Sequence, residues 1–119
     1  MDLLNKKCVP CEGGTKPLAQ DKIDMYLPLL KNKWEVIDGK KIRHEFEFSA
    51  KGGSASGGKS LFTQAIAFVN QVAAVAETEG HHPDIYIFYN KVIIELWTHA
   101  IGGLSENDFI VAAKIELLV

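Results

Sequence analysis

Three of the four histidines, His81, His82 and His99, fall in one stretch, ETEGHHPDIYIFYNKVIIELWTH, running from Glu77 to His99. An imidazole gives or takes a proton near neutrality, since its unperturbed pKa is about 6.5, so a cluster of them suits proton transfer in both directions. Whether they cluster depends on the chain between them. Residues 84–89 and 92–98 are runs of strand-forming types with the turn signal Asn90-Lys91 between. With that turn, Tyr89 faces Val92, Ile87 faces Ile94, Ile85 faces Leu96, and His82 faces His99. Directly opposed residues of an antiparallel pair lie about 5 Å apart, so His82 and His99 are expected as neighbours with His81 beside them. An odd-length loop would slip the register by one and turn every side chain to the other face. Three histidines and a carboxylate can also hold zinc, but this spacing is not a familiar zinc motif.

The pattern Glu77-x-x-x-His81-His82-Pro83, then a hairpin, then Thr98-His99 resembles the pterin-4a-carbinolamine dehydratase family. Further parts of the chain fit in order. They are Cys8-Val9-Pro10-Cys11-Glu12-Gly13-Gly14 at the amino end, Trp34 in a first strand and Phe46-x-Phe48 in a second. Residues 62–77 fit the helix before the histidines, and Gly103-Leu104-Ser105-Glu106-x-Asp108 fits the start of the last helix. The resemblance implies dehydration of 4a-hydroxytetrahydropterin to quinonoid dihydropterin without metal or redox cofactor. Hydroxide is a poor leaving group, so an acid must help it leave C4a while a base takes a proton from the ring-nitrogen side. By resemblance His81, His82 and His99 are the acid/base set, and Glu77 and Asp108 orient an imidazole or accept from the pterin. Pro83 and Thr98 shape the pocket, and Trp97 stacks near the pterin. The family also implies a homodimer or homotetramer with sheets joined edge to edge, and a pterin-dependent aromatic amino acid hydroxylase in the same pathway. Some members act instead as a dimerisation cofactor for a homeodomain transcription factor, which leaves a non-catalytic interaction protein as the rival.

The elements that must position these residues read as helix, two strands, helix, two strands, helix. That order favours an α+β fold with a four-stranded antiparallel sheet and helices on one face. Pro17 suits the first turn of a helix running to about Leu30, with Pro28 kinking its far end. Trp34 to Ile37 and residues 41–48 flank the tight-turn signal Asp38-Gly39; Ile42, His44, Phe46 and Phe48 share a face, and His44 matches no family motif. Ser60 is a candidate N-cap and Gly80 a stop for a helix with Phe62, Ala65, Ile66, Val69, Val72, Ala73 and Ala76 at helical spacing. A carboxylate at the end of that helix opposes the helix dipole, which gives Glu77 another reason to be there. Ser105-x-x-Asp108 is a capping box, with Leu104 and Phe109 as its hydrophobic staple. Both faces of the second hairpin carry large apolar residues, including Tyr86, Phe88, Ile93 and Trp97 on the second, which therefore asks for a cover.

Composition bounds the rest. A chain of 119 residues is expected as one domain, 1–119, 47% hydrophobic and 24% charged. A net charge of -2 gives no reason to expect direct contact with nucleic acid. No apolar run approaches the roughly 20 residues that span a bilayer, and MDLLNKK lacks the apolar stretch of a secretory signal, so the cytoplasm is expected. Cys8 and Cys11 lack the strand a redox pair follows and the second pair a zinc site needs; they are expected to pack on the domain. Residues 49–60, SAKGGSASGGKS, read as a Gly/Ser-rich insertion. Gly53, Gly58, Lys59 and Ser60 satisfy a phosphate-binding Gly-x-x-x-x-Gly-Lys-Ser pattern. The strand before them belongs to a hairpin, however, and the chain lacks room for a nucleotide-binding domain.

Overall fold

The computed structural model of the protein describes residues 3–9, 16–49 and 60–119. Its elements are α1 (Gln20–Tyr26), β1 (Glu35–Ile37), β2 (Lys41–Glu47), α2 (Leu61–Glu79), β3 (Asp84–Phe88), β4 (Lys91–Leu96) and α3 (Glu106–Glu116). The strands form one antiparallel sheet in the order β1-β2-β4-β3. This is the α+β fold and the element order that the sequence pattern predicts.

Period-two alternation decides what each sheet face does. Ile42, Phe46, Val92, Ile94 and Leu96 share one face and are buried with Ala65, Phe68, Val72 and Ala76 of α2. Burying each large apolar side chain contributes about 1.5–3 kcal/mol. Phe68 joins sheet to helix, its ring 4.9 Å from Phe46 and 5.5 Å from Phe48. The buried stripe of α2 therefore includes Phe68, and the expected members Phe62 and Ala73 are exposed. α3 is buried along most of its length, packed against α2 and the amino-terminal turn Leu3–Asn5. On the opposite sheet face Arg43 and Lys41 each approach Glu95 at 3.4 Å, and Tyr86 donates to the same carboxylate. Phe88 there is 58% exposed.

Local signals set most boundaries. Ser60 accepts from the Thr63 N–H, Gly80 ends α2 in the left-handed region at φ 66°, and the Ser105–Asp108 capping box is complete. Leu104 and Phe109, the expected staple, are both fully buried. Asp38 and Gly39 both have positive φ, the mark of a tight hairpin turn.

Two expectations are corrected. The first helix starts at Gln20, not Pro17, because the Leu18 N–H donates to Leu104 O at 2.8 Å and holds that segment extended. Pro17 also lies where a Cβ on Gly103 would meet its own Cβ at 2.7 Å, so glycine at 103 permits this approach. Past Tyr26 the chain tightens into the 3-10 turn Leu27–Leu29 around Pro28. The second correction is the hairpin register. The turn is Tyr89-Asn90, and Phe88 pairs with Lys91, Ile87 with Val92 and Ile85 with Ile94. Tyr89 adopts φ 48°. Asn90 is held by β2: its Nδ2 donates to Phe48 O at 2.9 Å and its carbonyl accepts from Phe48 N at 2.8 Å. The shift is by two residues, so every side chain keeps its expected face.

One carboxylate ties the far end of α3 to the start of the sheet. Glu116 accepts from Lys31 N at 2.8 Å, Asn32 N at 2.6 Å and Trp34 Nε1 at 2.9 Å. A buried donor left unpaired costs about 1–3 kcal/mol. Glu116→Ala, which strands the buried indole N–H, is expected to cost about 2 kcal/mol and lower the melting temperature by about 8 °C. A thermal melt followed by circular dichroism checks this.

Candidate active site

The end of α2 delivers the first histidine. Gly80 turns the chain, and the His81 N–H returns to Ala76 O at 3.2 Å. This fixes the His81 backbone, and its Nε2 meets Asp108 Oδ1 at 2.6 Å. Asp108 is fully buried. Its Oδ2 accepts from Ser105 N and from Thr98 Oγ1, each at 2.9 Å, and Thr98 Oγ1 lies 2.7 Å from Ser105 Oγ. The carboxylate that caps α3 is therefore the one that holds His81. An ionised carboxylate only accepts, so this contact suits the tautomer of neutral His81 that carries its proton on Nε2 and its lone pair on Nδ1.

The segment after β4 delivers the third histidine. Thr98 bridges to Gly103, with Thr98 N donating to Gly103 O at 2.8 Å, and His99–Ile101 makes a 3-10 turn between them. The His99 ring stacks on Trp97 at 4.0 Å between centroids and 28° between planes. Trp97 is anchored by its Nε1–H to Asp84 Oδ2 at 3.1 Å. His82 is exposed, and its Nε2 lies 3.5 Å from the equally exposed Glu77 Oε1. Such an exposed pair contributes little to stability.

His81, His82, Trp97, Thr98 and His99 line one cleft of about 520 Å³, together with Cys8, Val9, Glu79, Gly80, Ala100 and Asn107. That volume falls in the range of sites for small organic molecules, about 300–1,000 Å³. The expected cross-strand pairing of His82 with His99 is corrected: His82 precedes β3 and His99 opens a turn beyond β4, so neither is a ladder residue. The cleft, not the ladder, brings them together. Asp108 stands behind His81, while Glu77 and Pro83 fall outside the lining. His44 bonds Lys33 O through Nδ1 and packs edge-on to Phe46, away from this cleft.

Sequence reasoning missed Glu79 and Asn107, and expected Cys8 only to pack on the domain. The dipole argument applied to Glu77 belongs to Glu79, also in the last turn. Glu79 receives Lys114 Nζ at 2.7 Å and Cys8 N at 3.0 Å, and these donors hold its carboxyl below the usual carboxylate range. Burial, with Glu79 beside it, pushes the Cys8 thiol up to about 12. It stays a thiol at neutral pH, without the thiolate that redox exchange needs. Its sequence neighbour Cys11 and residues 50–59, with the phosphate-loop pattern, lie outside the described residues. Among the described residues, no group of three or more His, Cys, Asp or Glu side chains is placed to hold a metal ion, and no helix is long and apolar enough to cross a membrane.

The protein is thus an antiparallel α+β sheet with a histidine-lined cleft at the ends of α2 and β4. The family model for Pterin 4 alpha carbinolamine dehydratase matches residues 16–118, and the chain belongs to that family. Relatives provisionally named pterin-4-alpha-carbinolamine dehydratase include one from Nitrosospira multiformis, 48% identical over 98% of this chain and 92% of its own. Another, from Rickettsia bellii, is 45% identical over 98% of this chain and 93% of its own. Among solved structures, a transcriptional coactivator/pterin dehydratase from Brucella melitensis superposes with a TM-score of 0.71 at 30% identity, covering 87% of this chain and 98% of its own. A pterin dehydratase-like protein described as a RuBisCO assembly factor in the alpha-carboxysome shares the fold, with a TM-score of 0.55 at 23% identity over 74% of this chain.

Proposed function

We propose that the protein is a hydro-lyase that dehydrates 4a-hydroxytetrahydrobiopterin to quinonoid dihydrobiopterin and water, in tetrahydrobiopterin recycling. The C4a–O bond breaks and the hydroxide leaves with a proton from an acid. A base takes a ring-nitrogen proton as the new double bond forms, so the sum is substrate to product plus water. The observation that carries this reading is the 2.6 Å bond between His81 and buried Asp108, beside His82 and His99 in one cleft. A carboxylate fixed by a helix cap stabilises the imidazolium that forms when its partner takes a proton, as in other histidine–aspartate pairs. His81 is therefore the base. His82 and His99 serve the departing hydroxide, Glu77 orients His82, Trp97 stacks by the pterin, Thr98 shapes the wall, and Pro83, outside the lining, restricts the backbone of His82. No metal or redox cofactor enters the scheme. The experiment is the loss of 4a-hydroxypterin absorbance with and without protein. Catalysed loss that persists with added chelator is expected, and a rate no faster than the spontaneous one would refute the proposal.

The same reading places the protein in the cytoplasm, with an aromatic amino acid hydroxylase supplying its substrate, and makes it a homodimer or homotetramer. β3 is an edge strand on which Tyr86, Ile87 and Phe88 are exposed, and such edges pair with a second strand unless blunted. Light scattering at micromolar concentration is expected to give a multiple of 13.1 kDa; the bare chain mass would contradict it. Residues 49–60 are an insertion that the chemistry does not need. Replacing residues 52–58 by a short turn is expected to leave turnover within a few-fold, and a large loss in a folded variant would show otherwise.

A second reading, a non-catalytic interaction protein, draws on the coactivator in the description of the Brucella structure. Absence of turnover together with capture of a transcription factor would favour it.

A further inference from the structure

Resting on the dehydratase reading, we infer that residues 6–9 form a wall of the substrate cleft that determines binding, latched in place by Asn107 and by the Glu79–Lys114 pair. Cys8 and Val9 line the cleft beside the histidines, yet they precede the family match, which begins at residue 16. Residues 6–9 have no helix or strand of their own to hold them, and hydrogen bonds tie them at Lys6, Cys8 and Val9. Val9 N donates to Asn107 Oδ1 at 3.1 Å, and Asn107 Nδ2 donates back to Val9 O at 2.6 Å, so the side-chain amide pairs with the backbone as a strand would. Cys8 N donates to Glu79 Oε1 at 3.0 Å, while Lys114 Nζ holds Oε2 at 2.7 Å. Lys6 reaches Glu106 at 3.0 Å, and Tyr26 donates to that same carboxylate at 2.5 Å.

The anchors Glu79, Asn107 and Lys114 come from the last turn of α2 and from α3; His81 follows α2 and Asp108 lies on α3. The segment is thus registered to the same two helices as His81 and Asp108. Its two cleft-lining residues bring no base to the reaction: the Cys8 thiol stays protonated, and Val9 has no ionisable group. Its contribution is surface, felt equally by the bound substrate and the transition state. A loss of such uniform binding raises KM and leaves kcat unchanged.

Two variants test this in the full chain. Asn107→Ala removes both bonds to Val9. Val9→Trp adds bulk at a side chain that is 66% exposed, so it has no means of unfolding the core. Each is expected to raise KM by about five-fold or more, with kcat within two-fold and an unchanged pH profile of kcat. Binding of biopterin, followed by quenching of indole fluorescence, is expected to weaken in parallel. A merely structural role would instead lower kcat and the melting temperature together at constant KM. Unchanged KM and unchanged biopterin affinity in both variants, with the wild-type protein turning over normally, would overturn the inference. Absence of turnover in the wild-type protein would instead overturn the dehydratase reading beneath it.

Discussion

Alanine at His81, or at both His82 and His99, is expected to slow dehydration by about 10²-fold or more while the protein stays folded. The scale is that of a general acid or base. The folded state survives because His82 and His99 are exposed, and His81 contributes one bond to a carboxylate that keeps its other two donors. The effects of removing His82 and His99 are expected to be non-additive, as the proposed shared role in the departure of one hydroxide requires. His44→Ala is the control. Its ring packs by Phe46, and turnover in a folded variant is expected to stay near normal. Initial rates after a circular dichroism check decide the matter.

Changing Asp108 is expected to damage stability and chemistry together. The carboxylate is fully buried and satisfies Ser105 N, Thr98 Oγ1 and His81 Nε2 at once. Asp108→Ala leaves a buried cap N–H and a buried hydroxyl without their acceptor, at about 1–3 kcal/mol each. A loss of roughly 3 kcal/mol, or about 12 °C in melting temperature, is expected. Asp108→Asn is the more telling change. Its shape is right, but three donors converge on the site and an amide brings a further NH2 group, so one contact becomes donor against donor. Asparagine also cannot stabilise an imidazolium on His81. A folded Asp108→Asn protein is expected to lose at least about 10²-fold in kcat, with a smaller change in KM. Retention of kcat would remove the carboxylate from the mechanism.

The parts of this molecule written in local code could be read without coordinates. Ser60, Gly80 and the Ser105–Asp108 box mark helix ends because capping is a contact between near neighbours. The two sheet faces were legible from alternation alone. The hairpin turn was misplaced because its position is set by Asn90 bonding to Phe48, 42 residues away, while Tyr89 takes the left-handed conformation. Likewise α1 begins late because Leu18 is claimed by Leu104.

The candidate site divides in the same way. The histidines, Trp97 and Thr98 were visible as types in a pattern, and the fold gathers them in one cleft. Asp108 was visible as a cap; that its other oxygen reaches His81 is a tertiary fact. Glu79 looked like its neighbour Glu77 in sequence. Only the approach of Lys114 and of Cys8, 71 residues away, separates a buried latch from an exposed carboxylate. The spacing of Cys8 to Cys11 pointed to no cleft, and Asn107 carries no chemical signature that spacing could expose.

The histidine cleft is the proposed seat of the elimination. The direct measurement follows 4a-hydroxypterin absorbance beside the wild-type protein and the folded His82→Ala, His99→Ala double variant, both with chelator present. Rapid catalysed loss with the wild type and a rate close to the spontaneous one with the variant are expected. Near-wild-type turnover by the folded double variant, or spontaneous loss alone with the wild type, would contradict it.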